Sequence, residues 1–174
     1  DNAFKSMNED GIGIVLVNND KDSLGNAIQK GLSESPLCVL TENIHGKKAT
    51  TISTKKAVAE GEFMLGIIIP EGATKAIRSN VTTMVEESIG TATNPSNKTE
   101  KVEVIFYVDP IAKKSMVRSI SANIHEFISE MKNKIMFEAF SEQMNEMIPD
   151  GGKTPNNVYS RSQIIQYKEV PASD

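Results

Sequence analysis

A length of 174 residues suits one domain with a real core. Nineteen Lys and Arg against 23 Asp and Glu leave a net charge of −4. The basic pairs Lys47-Lys48, Lys55-Lys56 and Lys113-Lys114 stand isolated, which argues against a nucleic-acid surface. The single cysteine, Cys38, rules out an intrachain disulfide and a Cys-based metal site, and two histidines, His45 and His125, are too few for a His-rich one.

Residues 1–10 are polar and read as a frayed lead-in, so the domain is expected over residues 11–170. Ile12–Val17 is a short apolar run closed by Asn18-Asn19-Asp20, the signature of a buried strand. A helix over Ser23–Leu32 follows directly, with Asp22 or Ser23 able to cap it. Ser35-Pro36 breaks the chain before a second strand, Leu37–Thr41, in which Cys38 reads as a small core residue. Glu42–Thr51 reads as a polar loop, and Ser53 or Thr54 as the start of a short helix, Lys55–Glu60, ended by Gly61. Phe63–Ile69 is the clearest strand; a run so uniformly apolar suits a strand covered on both faces, as in a parallel sheet.

Thr74–Ile89 carries apolar residues at helical spacing (Ile77, Val81, Met84, Val85, Ile89), and Gly90–Lys101 is a loop of turn formers. Val102–Val108 is the next strand, ended by Asp109-Pro110. Ile111–Ile148 sustains a helical period through Val117, Ile124, Ile128, Ile135, Phe140 and Met144, and Pro149-Asp150-Gly151-Gly152 stops it. Thr154–Tyr159 reads as loop and Gln163–Tyr167 as a last strand. Strands alternating with helices imply an α/β fold: a mostly parallel sheet of about four or five strands with helices on both faces.

The long helix is out of proportion. Roughly 36 residues at ~1.5 Å each would run ~54 Å, whereas a compact domain of this size is nearer ~40 Å across. It must break or project, and a projecting stripe rich in Met and Phe needs a partner. Phe137, Phe140 and Met144 are the candidate contact residues; the alternative is that the stripe is all intramolecular core.

Candidate chemistry is thin. Gly11-Ile12-Gly13 precedes a strand, whereas a dinucleotide fingerprint follows one and opens a helix. Neither a phosphate-binding Gly-x-x-x-x-Gly-Lys motif nor a Gly-x-Ser-x-Gly elbow occurs, and no nucleophile–base pair stands out. The best constellation is acidic. In an all-parallel arrangement Asp20, Asp22 and Asp109 would share the carboxyl edge of the sheet, where clustered carboxylates hold divalent cations. The competing reading gives Asp20 and Asp22 to the turn and helix cap, and Asp109-Pro110 to the start of the long helix.

The order of motifs resembles the large extracytoplasmic domain between the first and second membrane helices of ABC-2 type transporter permeases. The residues that carry the resemblance are Val17-Asn18-Asn19-Asp20 with Leu24-Gly25, then Ile69-Pro70-Glu71-Gly72, then Tyr107-Val108-Asp109-Pro110, followed by a long helix. The tail from Tyr167 to Ser173 is similar to the approach to the second membrane helix. The chain begins with Asp1 rather than Met, as expected of an excised or processed piece, and no run reaches the ~18–20 apolar residues of a membrane span.

The resemblance implies a non-enzymatic module outside the cytoplasmic membrane of a bacterium, on the periplasmic side, in a permease that exports substrate. Its partners would be its own transmembrane helices, a second permease subunit, a cytoplasmic ABC ATPase and a periplasmic adaptor. ATP would be used by the separate ATPase, with no cofactor in this chain. The resemblance supplies no catalytic residues. It does imply that both ends return to one membrane surface, so the last strand should run antiparallel to the first. The alternative function is a soluble α/β ligand- or metal-binding regulatory domain built on the three aspartates.

Overall fold

The computed structural model describes residues 7–8, 11–90, 100–147 and 165–172. The expected loop over Thr154–Tyr159, the helix stop at 149–152, most of the loop between Gly90 and Lys101, and the first residues of the last strand lie outside them.

The apolar runs form the sheet. β2 (Gly11–Asn18), β6 (Leu65–Ile69) and β7 (Val102–Val108) are its centre, β3 (Cys38–Thr41) and β8 (Ile165–Pro171) its flanks. Five strands run in the order β3-β2-β6-β7-β8, and the short β1 (Met7–Asn8), which pairs antiparallel to the start of β2, makes a sixth. Residues 7–8 are therefore part of the sheet, not of a frayed lead-in. Along β2, Ile14 and Leu16 face one side while Val15 and Val17 face the other; all are buried, because both faces are covered.

β3 and β6 run parallel to β2, whereas β7 is antiparallel to β6, and β8 is parallel to β7. The last strand thus runs against β2, as expected. The reversal begins one strand earlier, because the crossover from β6 leads through α3 (Ala73–Ser88) into an antiparallel β7. One register row joins Ile14, Leu65, Val108 and Pro171. The start of β2 and the end of β8 therefore share one edge, the base. β2 and β6 end at the opposite edge, the top.

Three helices, α1 (Ser23–Glu34), α3 and α4 (Lys114–Met147), share the core on one face, where Leu24, Ile28, Ile77 and Ile128 meet Ile14, Ile67 and Phe106. The other face is covered by α2 (Thr51–Ala59) and a small hairpin, β4 (Asn43–Ile44) and β5 (Lys47–Lys48). The hairpin falls in the stretch expected to be loop; His45 (φ 51) and Gly46 (φ 80), both in the left-handed region, turn it. α2 begins earlier than expected. Thr50 caps it, accepting from Ser53 N at 3.0 Å while Ser53 Oγ accepts from Thr50 N at 2.9 Å, a reciprocal capping box.

α4 is unbroken over 34 residues, about 51 Å, against about 23 Å for the seven residues of β7. It starts at the base, after β7. Its Ser129 hydrogen-bonds Tyr167, which is in register with Val104, near the top. The remaining turns run past the sheet. There Ile135, Met136, Ala139, Phe140 and Met144 join Ile77, Val81, Met84 and Val85 of α3 in the main core. The projecting stripe is covered by the chain itself. Phe140 and Met144 are 1 % and 5 % exposed and offer no free contact surface; Phe137, at 50 %, faces outward. Helical periodicity reveals the stripe but not what covers it. Among the described residues no helix is long and apolar enough to cross a membrane.

Candidate functional site

The polar corner after β2 is a closely hydrogen-bonded site. Asn18 Oδ1 accepts from Asp20 N at 3.1 Å, and its Nδ2 donates to Gln29 Oε1 at 3.0 Å. This folds the chain back, so that Asp20, 2 % exposed, points under the start of α1. Asp20 Oδ2 accepts from Gly25 N at 2.9 Å and from Thr74 Oγ1 at 2.6 Å. Thr74 Oγ1 in turn accepts from Leu24 N at 2.8 Å. Asp20 Oδ1 also accepts from Thr74 N at 3.4 Å, so one carboxylate meets otherwise unpaired backbone donors at the first turns of two helices, where the positive ends of their dipoles also favour it. Gly25 is required by closeness: a Cβ there would stand 2.1 Å from Asp20 O and 2.3 Å from Asn18 Oδ1. Asp22, beside it, caps α1 by accepting from Ser23 N at 2.6 Å.

Asp109 is elsewhere. Because β7 runs antiparallel to β2 and β6, its end lies at the base, whereas Asp20 and Asp22 lie at the top. Asp109 is buried and its Oδ1 accepts from Ile111 N at 3.0 Å, shaping the turn before α4, which begins at Lys114 rather than at Pro110. The three aspartates do not form one site. The shared carboxyl edge would need β7 parallel to β2, and an apolar run carries no sign of its direction; the competing reading, turn and cap roles for the aspartates, is the one the structure has. Among the described residues no three His, Cys, Asp or Glu side chains gather as metal ligands.

A second cluster joins α4 to β8. The His125 ring stacks on Tyr167 (centroids 4.1 Å apart, planes at 19°) and meets Phe106 edge-on at 4.4 Å. Tyr167 Oη shares a hydrogen bond with Ser129 Oγ at 2.8 Å and donates to the His125 carbonyl at 3.1 Å. His125 Nε2 is buried without a hydrogen-bond partner, 3.8 Å from Glu169 Oε1. Burial lowers the His125 pKa from its ordinary value, and the Glu169 carboxylate opposes this. Burial raises the Tyr167 pKa, against the Ser129 bond. Burial also lowers that of Lys132, one turn further along α4 and 4 % exposed. His125 reads from sequence as a surface or satisfied core residue. Only the strand from a distant part of the chain gives it a ring to stack on, and a His125-x-x-x-Ser129 spacing was the one local sign of a polar helix face.

Two cavities differ sharply in chemistry. One, about 480 Å³, lies between the β4–β5 hairpin and α2 and carries mixed charge: Lys47, Lys48, Lys56 and Glu60, with His45 Nε2 paired to Glu62 at 2.8 Å. The other, about 420 Å³, is an apolar groove at the base between α1, β3 and α4. Ile12, Leu37, Cys38, Ile120, Ile124 and Phe127 line it, and no charged side chain does.

Comparison with protein-family models, with curated proteins and with solved structures returned no match.

Proposed function

We propose that this domain is the extracytoplasmic module of an ABC-2 type exporter permease, a coupling, gating or docking element and not a catalyst. The observation that carries the reading is the shared base edge: β2 leaves it and β8 returns to it, in one register row with Ile14 and Pro171. A body inserted between two neighbouring membrane helices needs both connections on one side. The motif residues behind the resemblance fit a scaffold role, since Asn18, Asp20 and Gly25 lock two helices at the top edge. Export would then proceed as a separate ATPase moves the membrane helices and, through them, this module against a second permease subunit or an adaptor.

The test uses the full reading frame, expressed in a bacterium with Lys55, an exposed residue of α2, changed to cysteine. A thiol reagent that cannot cross membranes should label Lys55→Cys in intact spheroplasts above the level seen with Lys55 unchanged. Labelling only after lysis, or recovery of the chain in the soluble fraction, overturns the reading.

A further inference from the structure

The base edge carries side chains that a water-facing edge does not need. Among the described residues the exposed large hydrophobics are Leu37 (66 %), Ile52 (84 %), Ile111 (62 %) and Phe137 (50 %). Leu37 and Ile111 both belong to the base. Leu37 precedes β3 beside Gly11, its carbonyl accepting from Ile12 N at 2.9 Å, and Ile111 follows the end of β7. They stand about three strand spacings, or ~14 Å, apart along the edge. Leu37 also opens the uncharged groove that runs inward to Ile120 and Phe127. Lys113 and Lys114, both exposed, adjoin Ile111.

We infer that this edge rests on a lipid bilayer surface, with Leu37 and Ile111 entering the interfacial layer and the two lysines facing lipid phosphates. The inference depends on the permease reading for its orientation: that reading brings the base toward the membrane, and the edge chemistry then names what it touches. Aliphatic side chains with adjoining lysines are the composition of interfacial contacts, since the apolar part gains by leaving water while the ammonium groups meet anionic headgroups. Glu34, Glu60 and Glu62 share the edge, and at the Ile111–Lys114 corner itself Glu169 and the buried Asp109 line one cavity with Lys114 and Arg118, so the electrostatic attraction is small and local to that corner and the aliphatic contacts dominate. The groove behind Leu37 gives an acyl chain of that bilayer an apolar place to lie.

The experiment is flotation of the 174-residue chain with lipid in large excess, using vesicles of phosphatidylcholine alone and of phosphatidylcholine with phosphatidylglycerol. The chain should float with both and more strongly with the anionic vesicles. Leu37→Ser combined with Ile111→Ser should lower partitioning about tenfold or more, consistent with the loss of two aliphatic burials. Ile52→Ser, on an exposed residue at the opposite end of α2 from the base, should leave it unchanged. No flotation with either vesicle, or flotation that the double variant leaves intact, overturns the inference; thermal melting of each variant verifies that it is folded. Extracytoplasmic labelling of Lys55→Cys without flotation defeats this inference alone. Cytoplasmic labelling defeats the permease reading whatever the vesicles do.

Discussion

At the level of single residues, Asp20 governs the top of the molecule. Replacing it with Ala strands the donors of Gly25 N and Thr74 Oγ1 in a buried place, at roughly 1–3 kcal/mol for each unpaired group. Urea denaturation of Asp20→Ala should show a loss of about 3 kcal/mol. Thr74→Val, which keeps the volume, should cost about 1–2 kcal/mol, and the two together less than their sum, because they remove one shared hydrogen bond. His125 gives a different signature. Its folded-state pKa lies below the ordinary 6.5, so below that pH the unfolded chain binds the proton more readily. Stability should rise with pH through the window just under 6.5 and be flat above it as far as this residue is concerned. His125→Gln should flatten the profile, and urea midpoints measured at acidic and neutral pH would reveal it. A wild-type profile with no acid-side loss beyond that of His125→Gln would contradict the assignment.

Between elements, the paired helices α3 and α4 make the sharpest contrast. Phe140 and Phe137 look alike in sequence, three residues apart in one apolar stripe, yet one is 1 % exposed and the other 50 %. Phe140→Ala should cost about 3–5 kcal/mol through transfer and cavity terms, and Phe137→Ala under about 1 kcal/mol, both by urea titration. Here the limits of the sequence are visible in physical terms. Periodicity marks α3 and α4, and apolar runs mark β2, β6 and β7, because burial on one or both faces leaves a pattern in the chain; α1 is marked by its cap residues after the strand. Strand direction leaves none, so the sequence alone does not decide at which edge Asp109 lies. The β4–β5 hairpin, two residues a side, is too short to alternate. The Asp20–Thr74 bond spans 54 positions and could not be read from either residue's neighbours. Asp22 as a helix cap was legible, since capping is local.

For the molecule as a whole, the shared base edge makes a further expectation. Three strand spacings separate Ile14 from Pro171, about 14 Å, a gap that a short flexible linker bridges. A circular permutant that keeps β1, joined from residue 172 to residue 7 by such a linker, with new ends between residues 91 and 99, should fold to a similar melting temperature and an unchanged circular dichroism spectrum. A permutant that fails to fold would place the two ends apart and remove the main support for the permease reading.

α4 alone reaches from the base to well past the top, and α3 braces only its outer part. Its foot at Lys114 sits next to the edge where a membrane would act. In mechanical terms it is a long arm, with α3 bound to its outer part so that the two move together. A tilt of about 5° at the foot carries the far end of a ~51 Å helix through about 4 Å, enough to change which neighbours Phe137 and the outer turns can touch. A small rocking of the base edge would therefore be delivered, enlarged, at the point most distant from it.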